Sequence, residues 1–467
     1  MFLLFICSCS YTDSDESSIH GFLATNVARM AKFVLAGRSD CPHYARAELL
    51  ADRLQSSLPE FRITKISILP HEWQDYYSVT SDMPADVMLN VAAENLETVM
   101  NVVVEEQHRV SLIQPLHIWI SSALNPTSSL LIPNLLSAEV FPRVSAISLH
   151  LLHLEGPEEG LQWLKMETED LAHRQLHQVT IHTDLEQAFQ EADVILLLDE
   201  WWADDEEEMR RKRKVQAISD RYREYGQLIG TRANKEVKVI VSGNSFVNLR
   251  CSLLLDHACS IGSHQFVIMA TQLENKAKAI LAKELRVRTS EITNVIVWGN
   301  ISGSFYIDLQ CATVFNYDGP IKGPAFFSQK VQHILHDRKW LETDFQDLVR
   351  GQRAAASSKS LRAAAMMTAN GILAVLKAWD GTCSRDELFS MGVLCPGEFD
   401  LPDGVVLSLP VTFTGGKWSA LLDLTVGEEL RERLQLYANE LKQVCQVTHA
   451  HTWPSLQSVV NTWRLRE

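Results

Sequence analysis

The sequence predicts an α/β protein with a doubly wound parallel sheet, followed by a second domain of α+β type. Three observations predict this class. Short apolar runs alternate with helical segments between about residues 115 and 265, which favours βαβ units with right-handed crossovers. A long helical pattern then begins near Met269. Mixed strand patterns and a helix-rich tail follow it, which favours a second domain.

The predicted strands are apolar and rich in β-branched residues, which is typical of parallel strands buried on both faces. In chain order they are Leu116–Ile120, Ala146–Leu152, Val179–His182, Val194–Leu198 and Val237–Ser242, and Val295–Asn300 follows the long helix Glu274–Leu285.

The N-terminal part has a different pattern. Phe33–Gly37 reads as a buried strand, and Cys41 and Pro42 follow at the start of a helical run. This arrangement resembles the beginning of a glutaredoxin or thioredoxin-like unit, because a helix N-terminus stabilises a thiolate. Tyr44 stands where such a motif has its second cysteine, so a truncated unit without redox chemistry is the main interpretation. Redox sensing through Cys41 is the alternative.

The first residues are interpreted as an extension. The apolar run Phe2–Cys7 has no positively charged flank, and polar and acidic residues follow it, so the features of a signal peptide are incomplete. The segment that begins at Met30 reads as a natural domain start. Translation could begin at Met1 or at Met30, and both alternatives remain. The predicted divisions are a poorly ordered extension over residues 1–29 and a truncated thioredoxin-like unit over residues 30–112.

The composition excludes several classes of protein. The net charge of −15 argues against a nucleic-acid surface, which needs clustered positive charge. No apolar run reaches the length of about 18 residues that a membrane span requires. The chain has nine cysteines and lacks a CxxC pair, so neither a disulfide framework nor a metal site is expected. A reducing, cytoplasmic location is predicted.

One segment carries a specific resemblance. Trp298-Gly-Asn-Ile301-Ser, continuing to Tyr306-Ile-Asp308, is similar to the active-site segment of malate dehydrogenases. Supporting matches occur in the family's order at Lys165–Asp170, Val237–Asn244, Phe389–Val393, Leu401–Asp403 and Leu409–Val411. Residues 113–445 therefore resemble the lactate/malate dehydrogenase superfamily, and its cytosolic malate dehydrogenase branch in particular.

The resemblance implies a fold and a function. It implies a Rossmann-type NAD-binding domain over residues 113–265, a C-terminal α+β domain over residues 266–445 and a tail over residues 446–467. It also implies NAD-dependent oxidation of malate to oxaloacetate in the tricarboxylic acid cycle, a dicarboxylate substrate and a homodimer.

The catalytic pair that the resemblance implies is absent. The family's proton-exchanging histidine falls at Ile301, and the aspartate that orients it falls at Leu273. Neither side chain can take or return a proton. Glu274 is one position away from the aspartate position, and successive helical residues do not share a face. We expect the proton relay to be lost.

The substrate-binding positions are partly kept. By resemblance, the three arginines that hold the substrate carboxylates fall at Asp205, Arg211 and Lys276, and the asparagine beside the nicotinamide falls at Asn244. Asp205 would repel a dicarboxylate, whereas Lys276 keeps the charge but not the planar fork of a guanidinium. An ordinary surface helix is the alternative for Arg211.

The cofactor-binding positions are also altered. The glycine-rich phosphate turn of the family falls at Ser122, Asn125 and Ser128, where side chains take up room that the pyrophosphate needs. The acidic residue that holds the adenosine ribose falls at His153, with Glu155 two residues later. Weak or absent NAD binding is expected. Two hypotheses remain, a working dehydrogenase with a replacement acid and a catalytically inactive binding or assembly module.

Overall fold

The computed structural model describes residues 2–7, 32–38, 63–69 and 88–90, a few helical positions between 45 and 52, and residues 114–449 apart from gaps. The longest of these gaps are 200–207, 318–326 and 382–386. The chain divides into two compact units, Met1–Gln114 and Pro115–Glu467, close to the division predicted after residue 112.

The first unit contains a four-stranded parallel sheet in the order β3-β2-β1-β4. Its strands are β1 (Phe2–Cys7), β2 (Lys32–Arg38), β3 (Ile63–Ile68) and β4 (Met88–Asn90). The apolar run Phe2–Cys7, which lies within the predicted extension, pairs with both β2 and β4.

The second unit is built on an eleven-stranded sheet, and six of its strands are parallel in the order β7-β6-β5-β8-β9-β10. This arrangement confirms the predicted doubly wound sheet. The order reverses between β5 and β8, and such a reversal creates a crevice at the carboxyl ends of the two strands. The strands are β5 (Leu116–Ile120), β6 (Ile147–Leu152), β7 (Leu176–His182), β8 (Val194–Leu197), β9 (Lys238–Val241) and β10 (Phe266–Met269).

The same sheet continues beyond β10 through antiparallel strands. β10 pairs with β16, and β17, β12 and β13 follow, with β18 paired to β17. The predicted domain boundary after residue 265 falls immediately before β10, which extends the parallel half. A separate three-stranded sheet has the order β11-β14-β15. The bounds are β11 (Ile292–Thr293), β12 (Ile296–Gly299), β13 (Phe305–Asp308), β14 (Thr313–Phe315), β15 (Ser328–Lys330), β16 (Phe389–Leu394), β17 (Val406–Thr414) and β18 (Lys417–Ala420).

Helices connect these strands. The first begins where Asn125 accepts a hydrogen bond from the backbone of Thr127 at 2.8 Å, with Pro126 as its first residue. No described helix is long and apolar enough to cross a bilayer. The helices are α1 (Pro126–Leu135), α2 (Glu158–Asp170), α3 (Glu208–Arg232), α4 (Val247–His257), α5 (Thr271–Leu285), α6 (Val331–Ile334), α7 (Arg338–Glu342), α8 (Asp344–Lys359), α9 (Leu361–Trp379) and α10 (Glu428–His449).

Alternate residues of the central strand belong to two different apolar clusters. Ile118 and Ile120 of β5 join one cluster, whereas Trp119 joins the other. Successive strand residues point to opposite faces of a sheet, so each cluster covers one face. Burial on both faces holds the ends of the parallel strands in fixed positions, and the crevice is formed there.

A row of histidines crosses β5, β6 and β7. Hydrogen bonds join His117 Nδ1 to His150 Nε2 at 2.9 Å, His150 Nδ1 to Thr180 Oγ1 at 2.8 Å, and Thr180 Oγ1 to His182 Nε2 at 2.9 Å. The Trp119 ring stacks on His150 with the ring centroids 4.5 Å apart. Burial, and then the neighbouring His117 and His182, lower the pKa of His150 to about 3. The ring is therefore neutral in the folded protein at physiological pH.

Acid is expected to destabilise the fold through His150. In the unfolded chain this ring binds a proton near its ordinary pKa of 6.5, but in the folded chain only near 3. Its contribution to stability is complete above pH 6.5 and is lost as the pH falls towards 3. The slope is at most about 1.4 kcal/mol per pH unit.

We expect His150→Gln to flatten the pH dependence of the free energy of unfolding, measured by urea denaturation across this range. His177→Gln, on the exposed face of β7, is the control and should keep the slope of the unmodified chain. An unchanged slope in His150→Gln would contradict this account of the histidine row.

Candidate functional site

The candidate site is the crevice at the carboxyl ends of β5, β8 and β9. After β5 the chain turns through Ser121 and Ser122, and Ser122 has a left-handed backbone with φ of +46°. β8 leads into Asp199, and β9 leads into Ser242. Backbone hydrogen bonds from Ser121 and Ser242 to β8, each of 2.9 Å, hold the three strand ends together.

A buried carboxylate lies in this crevice. Asp199 is only 5% exposed. Its Oδ2 accepts hydrogen bonds from the hydroxyls of Ser121 at 2.7 Å and Tyr222 at 2.9 Å. Its Oδ1 accepts a hydrogen bond from the Ser122 hydroxyl at 2.9 Å. Hydrogen bonds of this kind to a charged acceptor are stronger than those between neutral groups. The hydroxyls that follow β5 are therefore engaged by a side chain of the chain itself.

A buried arginine completes the arrangement. The Arg250 guanidinium donates from Nη1 to the Asp199 backbone oxygen at 2.5 Å and to the Tyr222 hydroxyl at 3.0 Å. It also donates from Nη2 to the Ser242 backbone oxygen at 3.1 Å. Burial raises the pKa of Tyr222 well above its ordinary value, so the phenol keeps its proton and donates it to Asp199. We call Ser121, Ser122, Asp199, Tyr222 and Arg250 the switch-point network.

The other predicted cofactor positions lie beside this network. The Asn125 side chain accepts from the Thr127 backbone and donates to the Leu198 backbone oxygen at 3.2 Å. Ser128 is fully buried, and its hydroxyl has no hydrogen-bond partner among the described residues. The Ala123 backbone donates to the end of β6, and His153 comes directly after that strand. The chain therefore brings the turn and His153 together, whereas Glu155 is exposed.

The two positions that by resemblance correspond to the catalytic pair are apolar and buried. Ile301 is 2% exposed and Leu273 is 3% exposed, and both belong to the cluster that contains Trp119. The backbone N–H of Ile301 donates to Asn248 Oδ1 at 3.1 Å. This side chain also packs close to Gly392, where an added Cβ would lie 3.1 Å from Ile301 Cδ1. Neither aliphatic side chain carries a titratable group.

The charged residues of α5 near this pair are buried too. The Glu274 carboxylate accepts a hydrogen bond from the Ser390 backbone on β16. Burial raises the pKa of Glu274. Its carboxylate therefore already accepts a hydrogen bond from a strand backbone. Lys276 is 8% exposed. Among the described residues, no group of three or more His, Cys, Asp or Glu side chains is placed to hold a metal ion.

Comparison with known proteins identifies the family. A family model described as "lactate/malate dehydrogenase, alpha/beta C-terminal domain" matches residues 271–451. A Bos taurus relative named "Putative malate dehydrogenase 1B" is 37% identical over 466 residues, covering 89% of this chain and 96% of the relative. The chain belongs to the lactate/malate dehydrogenase family.

A second family model matches the first unit, and further relatives match most of the chain. The model "Putative malate dehydrogenase 1B N-terminal domain" matches residues 32–76. The Homo sapiens protein of the same name as the cattle relative is 35% identical, covering 87% of this chain and 86% of that protein. Felis catus "Malate dehydrogenase, cytoplasmic" is 31% identical, covering 71% of this chain and 96% of that protein.

Solved structures support the fold of the second unit. Trichomonas vaginalis lactate dehydrogenase in complex with NADH and oxamate is 24% identical, with a TM-score of 0.63, covering 72% of this chain and all of that one (100%). Naegleria fowleri malate dehydrogenase is 21% identical, with the same TM-score of 0.63, covering 72% of this chain and 98% of that one.

Several residues singled out in the sequence stay predictions. Asp205, Asn244 and Cys41 lie outside the described residues. Arg211 falls in the first turn of α3, but the structure does not describe its side chain. The two readings of Arg211, as a substrate ligand and as a surface residue of the helix, therefore both remain.

Four members of the switch-point network, namely Ser121, Asp199, Tyr222 and Arg250, are not predicted from the sequence. Asp199 offered one signal, since it directly follows the all-apolar run Val194–Leu198 where a parallel strand was predicted to end. A carboxylate at such a point is placed in the crevice of a doubly wound sheet. Tyr222 and Arg250 read as ordinary helix residues.

Proposed function

We propose that the chain is a non-catalytic member of the lactate/malate dehydrogenase family, a pseudoenzyme that retains the family fold as a binding or assembly module. The observation that carries the proposal is the burial of Ile301 and Leu273 within one apolar cluster. The family reaction needs a group that exchanges the hydroxyl proton of the substrate, and a positioned acid or base typically contributes about 10²–10⁴-fold in rate. Two aliphatic side chains cannot supply it.

The cofactor side supports the same proposal. NAD is the cofactor that the family implies, and its pyrophosphate would meet the turn after β5. In this chain the hydroxyls of Ser121 and Ser122 donate to the Asp199 carboxylate, which adds a negative charge at that turn. The Asn125 side chain is also engaged in hydrogen bonds with the backbone of Leu198 and Thr127. These residues do not fit a pyrophosphate.

An exposed surface is available for the module role. Helix α2 carries Trp163 and Met166 with exposed fractions of 57% and 51%. Three positions apart, these side chains lie on one face of the helix. Large exposed apolar side chains that lie together are typical of interaction surfaces. Homodimerisation stays a prediction from the family resemblance.

The second candidate function is NAD-dependent oxidation of malate to oxaloacetate, which family membership favours. It requires a replacement for the lost acid. A direct assay separates the two: the purified full chain is mixed with NADH and oxaloacetate, and absorbance at the NADH band is followed. We expect no rate above that of buffer, with chicken cytoplasmic malate dehydrogenase, a 30% identical relative, as the positive control. Oxidation of NADH that scales with protein concentration would overturn the proposal.

A further inference from the structure

The position of Asp199 sets it apart from an ordinary buried carboxylate. It follows β8, the strand that pairs with β5 across the point where the strand order reverses. Asp199 accepts hydrogen bonds from the hydroxyls of Ser121 and Ser122, which belong to the turn after β5. In doubly wound folds this turn precedes a helix N-terminus that receives the phosphates of a bound nucleotide. The carboxylate therefore lies where an anionic ligand would be received.

We propose that Asp199 is a built-in anion, which occupies the phosphate-binding turn and makes the crevice reject phosphate-bearing dinucleotides. This inference rests on the proposed function and names Asp199 as the residue that excludes the cofactor. Two negative charges about 4 Å apart in a partly buried site repel strongly enough to weaken binding by roughly 10²- to 10³-fold. Asp199 thus determines the ligand specificity of the crevice.

The surrounding groups are those of an anion site. Three hydroxyls converge on the carboxylate, from Ser121, Ser122 and Tyr222. The buried Arg250 guanidinium donates to the same phenol and to the backbone oxygen of Asp199. When the carboxylate is removed, these donors and the positive charge stay in place. The vacated position then suits a phosphate group, which accepts several hydrogen bonds from such donors.

Two variants separate the charge of Asp199 from its volume. Asp199→Ala removes both the charge and the side chain, whereas Asp199→Asn removes the charge and keeps the shape. Asp220→Ala is the matched control, because it removes one negative charge from the exposed side of α3. All are made in the full chain. The probe is inorganic pyrophosphate, with the shift in melting temperature and calorimetric titration as the two measurements.

We expect Asp199→Ala to bind pyrophosphate at least about 10-fold more tightly than the unmodified chain. The main reason is that the repulsion between the Asp199 carboxylate and the pyrophosphate is removed. Asp199→Asn should bind it more tightly as well, and Asp220→Ala should not. If Asp199→Ala fails to fold, Asp199→Asn decides the question. Equal pyrophosphate affinity in the Asp199 variants and the unmodified chain, or an equal gain in Asp220→Ala, would overturn the inference.

The two proposals fail in different ways. Turnover of oxaloacetate by the unmodified chain would overturn the non-catalytic function, whatever the Asp199 variants do. Unchanged pyrophosphate binding by the folded Asp199 variants would overturn only the role of Asp199, because the burial of Ile301 and Leu273 does not depend on it.

Discussion

Arg250→Met is expected to lower the free energy of unfolding by about 3–5 kcal/mol, the range typical when one partner of a buried charged network is removed. The Arg250 side chain is fully buried. Its guanidinium supplies hydrogen bonds to Asp199, Tyr222 and Ser242. Methionine fills a similar volume but donates none of these bonds, so two backbone oxygens and the buried Tyr222 hydroxyl lose a donor. Urea denaturation followed by far-ultraviolet circular dichroism measures the change.

A matched variant on the surface calibrates this loss. Arg288 has a side chain that is 81% exposed, and it pairs with Glu291 at 2.7 Å. Exposed pairs contribute about 0–1 kcal/mol, so Arg288→Met should change stability by no more than that. If Arg250→Met and Arg288→Met lowered the free energy of unfolding by similar amounts, the switch-point network would not be a stabilising feature of the crevice.

Replacing Ile301 with histidine and Leu273 with aspartate in one chain is expected to restore no malate oxidation. The double variant would supply the acid–base pair that the family resemblance implies, but Asp199 would still occupy the phosphate-binding turn. Both substitutions also place polar groups in an apolar cluster. We expect the free energy of unfolding to fall by about 2–6 kcal/mol, since each of the two buried polar groups costs about 1–3 kcal/mol when poorly paired.

The conservative pair Ile301→Leu with Leu273→Met isolates the effect of polarity, because volume-conserving apolar changes usually cost less than about 1.5 kcal/mol each. Stability is measured by urea denaturation, and activity by NADH oxidation with oxaloacetate. NADH-dependent turnover in the histidine–aspartate variant would show that a usable cofactor site exists, and would contradict the account of the crevice.

The parallel half of the fold could be predicted because its strands are short and continuous in apolar character. Leu116–Ile120 was predicted with the bounds that β5 has. β1 could not be predicted in the same way, because Phe2–Cys7 is an equally short run without a flanking signal. Its partners are distant in sequence, with Lys32 paired to Phe2 and Met88 paired to Leu4. Pairings of this range depend on tertiary structure and leave no local pattern.

The candidate site was predictable only at positions that align with motifs of the family. Ile301 and Leu273 follow from aligned motifs, and the turn at Ser122 follows from the missing glycines. The Asp199 contacts do not, because Tyr222 and Arg250 lie 23 and 51 residues further along the chain. A tyrosine on the apolar side of a helix and an arginine within another helix are common surface or core residues. Only the fold shows that they converge on one carboxylate.

Titration of the unmodified full chain with NADH, followed by cofactor fluorescence, tests most directly the claim that the chain's own side chains occupy the cofactor crevice. We expect no saturable signal up to about 1 mM NADH, a concentration that half-fills a site with a binding free energy of only about −4 kcal/mol. Saturable binding of NADH with a dissociation constant below about 1 mM would contradict this expectation.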